Sequence, residues 1–139
     1  MYSHLHLRVF VQSDLNAPVV DSTIPADASK GIAIGLETIT VHFDEEVQFG
    51  SGSIQITDPS GTLDEIAIPD STGRVNITGS VMTVAFHAFT PTPLGHVTLF
   101  DKELTEYTMT LPAGTITDTA PTLNPMPVVA FTFTTEAGP

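Results

Sequence analysis

Hydrophobic residues along this chain recur at every second position and not at helical spacing. Thr38-Ile39-Thr40-Val41-His42-Phe43 puts Ile39, Val41 and Phe43 on one face and Thr38, Thr40 and His42 on the other, the layout of a strand half buried and half wet. The same parity joins Ile54 to Ile56, Ile66 to Ile68, Val75 to Ile77, Met82 to Val84 and Phe86, Tyr107 to Met109 and Leu111, and Val129 to Phe131 and Phe133. Turn residues separate these runs: Phe49-Gly50-Ser51-Gly52, Asp58-Pro59-Ser60-Gly61, Pro69-Asp70-Ser71-Thr72-Gly73, Thr90-Pro91-Thr92-Pro93 and Leu123-Asn124-Pro125. Eleven prolines and ten glycines oppose long helices, and only Asp101–Glu106 has the composition for a helical turn. Short alternating strands between Gly/Pro turns predict an all-β domain, an antiparallel sandwich of two sheets. Tyr107 is expected in its core at a strand entry, with the hydroxyl capping a corner.

The N-terminus is organised differently. Leu5, Leu7, Val9 and Val11 alternate with His4, His6 and Arg8, and the polar stretch Gln12-Ser13-Asp14-Leu15-Asn16-Ala17 then ends at Pro18. Residues 1–20 are therefore read as a strand and linker, and residues 21–139 as the sandwich. The strand over residues 4–11 has three open placements. It is the last strand of a preceding domain or vector-derived sequence, a strand pairing with a neighbouring molecule, or an added edge strand of this domain. The last is the expectation.

With 41% hydrophobic and 14% charged residues in 139, the chain can bury a core of its own. Sixteen Asp and Glu against four Lys and Arg give a net charge of −12, which repels phosphate backbones and anionic lipid and removes nucleic acid and membrane surfaces as partners. The absence of cysteine removes disulfides, thiolate zinc sites and cysteine nucleophiles. No apolar run approaches the roughly 20 residues of a transmembrane helix, and residues 1–8 lack a signal-peptide layout. The chain reads as a mature soluble domain or an excised segment of something larger.

Four stretches, in order, resemble the bacterial Ig-like family typified by the SbsA-type modules of S-layer proteins. Ile24-Pro25-Ala26-Asp27-Ala28-Ser29-Lys30-Gly31-Ile32 is similar to the family's Pro-x-Asp-Gly-Ala entrance, with Ala28 where glycine is usual. Ile39-Thr40-Val41-His42-Phe43-Asp44-Glu45-Glu46-Val47 resembles its strand ending in Phe-Ser/Asp-Glu-x-Val, and Gly52-Ser53-Ile54-Gln55-Ile56 its hairpin partner. Tyr107–Asp118 and Phe131-Thr132-Phe133-Thr134-Thr135 resemble the closing strands. Two departures mark the late part: Thr119–Pro125 replaces the usual Ala-Gly-Asn turn, and Thr105-Glu106 replaces a Gly-Thr. The resemblance implies an extracellular or cell-surface module that spaces or assembles neighbours without catalysis.

Candidate chemistry is sparse. Asp44-Glu45-Glu46 follows an apolar strand, and hard cations such as calcium favour several oxygen ligands from such a loop. Asp44 and Glu46 share one side, and Asp118 joins them if the two loops meet at one end of the sandwich. Against this metal reading, no Asp-x-Asp-x-Asp-Gly spacing is present, and carboxylates also serve by accepting turn amides. Asp58-Pro59-Ser60-Gly61 reads as a structural type I turn. His4 and His6 share a strand face, but a zinc site needs a third protein ligand from His42, His87 or His96, and solvent-facing histidines are the simpler account. No serine lies in Gly-x-Ser-x-Gly, and a chain with no Trp and two Tyr lacks a sugar-stacking platform. Asn76-Ile77-Thr78 is a glycosylation sequon, and the Thr-x-Thr pairs at 38/40, 108/110, 115/117 and 132/134 read as outward strand positions on separate strands.

The expectation is thus a non-catalytic structural or adhesive module whose partners are neighbouring domains or copies of itself, with no cofactor unless calcium. The alternative is a ligand-binding accessory domain of a larger extracellular enzyme, making contact through loops around Asp44, Gly95 and Asn124.

Overall fold

A computed structural model describes residues 16–86, 99–119 and 123–137. These contain eleven strands and no helix: β1 (Val20–Ile24), β2 (Ser29–Ile32), β3 (Thr38–Phe43), β4 (Val47–Phe49), β5 (Gly52–Asp58), β6 (Gly61–Ile68), β7 (Val75–Thr78), β8 (Val81–Ala85), β9 (Glu106–Leu111), β10 (Ile116–Asp118) and β11 (Val129–Thr135). One sheet has the order β1-β3-β8-β7 and the other β2-β11-β9-β5-β6, with β4 and β10 forming a separate two-stranded ribbon. Asp101–Thr105, where a helical turn was expected, forms a turn with no helix. The predicted strand at residues 4–11, with His4 and His6, lies outside the described residues, as do His87, Gly95 and His96.

Alternation decides which face turns inward. Ile39, Val41 and Phe43 are at most 3% exposed, and they pack with Ile54, Ile56, Met82, Val84, Met109 and Leu111 in one core between the sheets. Phe86, Phe100, Tyr107 and Phe133 fill one part of it, with ring centroids 4.9 to 5.7 Å apart in mostly edge-on pairs, the arrangement aromatic quadrupoles favour. The hairpin from β5 to β6 turns through Pro59-Ser60, with Asp58 opposite Gly61.

Not every pair is antiparallel. β2 runs parallel to β11, with Phe133 opposite Ser29 and Thr135 opposite Ile32. The chain changes sheets between β1 and β2, so both of these short strands border the sandwich, one on each sheet.

The turn into β2 carries strain. Ala28 sits at φ 63°, the left-handed region that a Cβ disfavours by roughly 1–2 kcal/mol. Its N–H is committed to the Thr132 carbonyl at 2.7 Å, which fixes that conformation. The position is the one where the resembling family usually has glycine. Ala28→Gly is expected to raise stability by up to about 1 kcal/mol, the relief of strain less the extra entropy of an unfolded glycine. A lower melting midpoint in the variant would contradict this.

Candidate functional site

The acidic loop and the late loop are built from different local needs. Asp44 leaves the end of β3 and forms a reciprocal pair with the chain ahead of β1: its backbone N–H donates to the Val19 carbonyl at 2.9 Å, and its Oδ1 accepts the Val19 N–H at 2.9 Å. Glu46 is exposed just before β4. Asp118 ends β10 at 1% exposure, with Oδ1 accepting the Asn124 N–H and Oδ2 the Asn124 Nδ2–H, each at 2.9 Å. This clasp closes the loop that replaces the family's shorter turn.

Asp118 faces Val47 across the β4–β10 ribbon, so the two loops do share a neighbourhood. The carboxylates nevertheless do not converge. Among the described residues no group of three or more His, Asp or Glu side chains is placed to hold a metal ion. Asp44 and Asp118 thus hold turn amides and Glu46 stands exposed, the arrangement of the alternative in which loop carboxylates accept turn amides. The physical reason is that unpaired loop amides compete for the same oxygens a cation would need.

The alternation alone did not reveal a polar corner around Lys102. Tyr107 is fully buried and its hydroxyl accepts the Lys102 N–H at 3.2 Å, the corner cap expected of it. Burial pushes its phenol above the usual range. The Lys102 ammonium donates to Asp58 Oδ2 at 2.6 Å, and the Lys102 carbonyl accepts the Thr135 hydroxyl at 2.6 Å. One short loop thus ties the β5–β6 turn to the end of β11. Asp58 also accepts the Ser60 N–H at 2.8 Å on Oδ1. The hydrogen bond from Lys102, then those from Ser60, hold its carboxyl at about 2, well below the ordinary 3.8.

A group whose pKa falls on folding stabilises the protein above its unfolded pKa, and that contribution fades as the pH drops toward the folded value. Asp58→Asn is therefore expected to lower the melting midpoint near neutral pH. The gap to the parent protein should close as the pH falls from about 4 to about 2. A gap that stays constant down to the acid end would show that Asp58 does not act through its charge. Asp70 provides a second depressed carboxyl. Burial, the largest single influence, pushes it up, but hydrogen bonds from the Thr72 hydroxyl and the Val75, Thr72 and Arg74 N–H groups outweigh burial and hold it at about 2.

Arg74 joins the sheets at another place. It reaches Asp64 on β6 at 2.6 Å, donates to the Ala85 carbonyl from Nε at 3.3 Å, and lies over the Phe86 ring at 5.6 Å. Two of the chain's four Lys and Arg residues, Lys102 and Arg74, thus hold strands and loops together, a use visible only once the partners are brought together.

One of the Thr-x-Thr pairs departs from the outward reading: Thr115 and Thr117 are buried, while the pairs at 38/40, 108/110 and 132/134 are exposed or half buried. Thr62, Thr57, Thr108 and Thr132 stand side by side across β6, β5, β9 and β11. Cross-strand Thr pairs of this kind contribute roughly 0.2–1 kcal/mol each. In the sequon, Asn76 and Thr78 are both exposed on β7, an edge strand. His42 is half buried on β3 opposite Val81.

Comparison with protein families agrees with this architecture. The model of the bacterial Ig-like domain matches residues 14–135. The chain belongs to the bacterial Ig-like domain family. No curated protein sequence matches it. The family match begins ahead of β1 and ends at the last residue of β11, so this Ig-like domain takes in every described strand. No helix among the described residues is long and apolar enough to cross a membrane.

Proposed function

We propose that this Ig-like domain is a non-catalytic structural or adhesive module, a spacer or assembly unit within a larger cell-surface or secreted protein. The observation that carries the reading is the parallel pairing of β2, close to the start of the fold, with β11, its last strand. Parallel strands near the two ends of a domain are pulled past one another when the chain is stretched, an arrangement that suits modules strung end to end.

Both ends are also tied down. Val19 is pinned by Asp44, while the Thr135 N–H donates to the Thr105 carbonyl at 3.0 Å and the Glu136 N–H to the Ile32 carbonyl at 2.8 Å. Tension between the ends loads these ladders in shear, where many hydrogen bonds must fail together. Family members are generally non-catalytic and typical of surface or extracellular proteins, and the high negative charge keeps such a unit soluble.

Single-molecule stretching of the full chain between its termini tests the proposal. The expected record is one abrupt rupture that releases most of the chain at once. Gradual peeling at low force would count against a load-bearing spacer.

A further inference from the structure

Between the free edge of β1 and the first half of β11 lies an open cleft of about 460 Å³, lined by Val20, Thr23, Val129 and Phe131, with the exposed acids Asp21 and Asp27 beside them. Val19 and Val128, 57% and 61% exposed, adjoin it. Three of the five large hydrophobic side chains left open on the described surface, Val19, Ile24 and Val128, belong to or directly flank the strands that form this border.

Among the described residues the backbone pairing here is incomplete as well. Thr132 turns both polar groups away from β9: its N–H donates to Asp27 Oδ1 at 3.0 Å and its carbonyl accepts the Ala28 N–H at 2.7 Å. The two-residue period of a strand turns the N–H and carbonyl of Ala130 the same way. β2 first pairs with β11 at Phe133, so it does not reach Ala130. An open strand edge beside apolar side chains is a template for one more strand.

We propose that residues Leu5–Val11 of the same chain fill this cleft as an added strand, antiparallel to β11 and hydrogen-bonded to it at Ala130. Three observations select this occupant. Leu5, Leu7, Val9 and Val11 form one apolar face, matching a cleft floored by Val20, Val129 and Phe131, and the segment contains no proline or glycine. Its connection arrives at the cleft: the described chain starts at Asn16 and reaches the lining at Val20. Residues 12–19 can extend about 26 Å at roughly 3.3 Å each, ample for the chain to turn back. Charge complements it too. Residues 1–15 carry one cation, Arg8, and one anion, Asp14, so the whole net charge of −12 belongs to the rest of the chain, including Asp21 and Asp27 at the cleft.

Tethering also favours the same chain over another copy, because a short linker holds the segment at high effective concentration. The proposal is separate from the spacer role, which stands or falls on the stretching record.

Amide hydrogen exchange on the full chain, read on a peptide covering Leu5–Val11 at low and high protein concentration, tests it. Exchange there is expected to be about tenfold or more slower than in a disordered segment, and to the same extent at both concentrations. Ala130→Pro removes the edge N–H while leaving the β9 side of β11 intact, and it should return the segment to fast exchange. Should that variant unfold, Leu7→Lys with Val9→Lys alters only the inserting face and must have the same effect. Fast exchange in the parent chain would overturn the proposal. So would protection that appears only at high concentration, which assigns the cleft to a second copy, or protection that survives these substitutions, which places the segment elsewhere.

Discussion

Phe100→Ala is expected to lower the unfolding free energy by about 3–5 kcal/mol, the largest loss for any single core truncation here. The residue lies outside every main sheet, joined to the fold by an isolated bridge to Leu36 and by the Gly35 N–H donating to its carbonyl at 2.8 Å. Its ring is fully buried and meets Phe86 at 5.1 Å, Tyr107 at 4.9 Å and Phe133 at 5.2 Å, so it touches aromatic side chains carried by both sheets. Truncation removes three edge-on ring contacts and leaves a cavity that rigid strands on either side cannot close. Phe100→Leu refills part of the space and should cost about 1–2 kcal/mol. Urea unfolding followed by tyrosine fluorescence and circular dichroism reads both values, with the slope unchanged if only native packing is lost. A loss below about 1 kcal/mol for Phe100→Ala would mean that the aromatic cluster is not the keystone of this core.

How much of this was legible beforehand depends on how much local pattern each element carries. β3, β5, β8, β9 and β11 advertise themselves because each repeats inward apolar positions at every second residue. β1, β2, β4 and β10 do not, since they have three to five residues each and their partners lie far away in sequence. Ser29-Lys30-Gly31-Ile32 has no alternating face to read, and it is a strand because its backbone is held against β11. Phe100 was invisible for a related reason: it is an isolated aromatic beside a polar turn, and its burial depends on where three other rings meet.

The candidate site followed the same division. Asp58 was legible as a turn aspartate because its partner Ser60 is two residues away, whereas its ion pair with Lys102 spans 44 positions. Asp118 enters the sequence reading as a further oxygen ligand only if the two loops meet at one end of the sandwich. It turns toward Asn124, six residues on, because the rebuilt loop between them needs its amides satisfied. Ala28 shows the converse: the departure from the family's glycine was readable in the sequence, and its cost became visible only with the positive φ.

Gly50→Ala should lower stability by about 3 kcal/mol or more, through backbone contact and not through lost burial. A Cβ built there collides with the Gly114 carbonyl oxygen and falls 3.1 Å from both the Gly114 carbonyl carbon and Thr117 Cγ2. The obstruction is main chain, so no rotamer change relieves it. Holding the two segments this close are the Gly50 N–H bond to the Thr115 carbonyl at 2.7 Å, the Ser51 N–H bond to the Gly114 carbonyl at 2.8 Å, and the adjoining pair Phe49 and Ile116. Separating them enough to admit a methyl group breaks both bonds, at roughly 1 kcal/mol each, and pulls Ile116 from the core. Gly114→Ala separates this effect from conformational strain. Gly114 has φ 81°, but its added Cβ meets nothing within 4 Å, so its cost should stay near the roughly 1–2 kcal/mol of a left-handed alanine. Chemical denaturation should rank Gly50→Ala as the more damaging, and amide exchange should show the β4–β10 ribbon opening first. The reverse ranking would mean that the ribbon yields easily and that close approach at Gly50 is incidental.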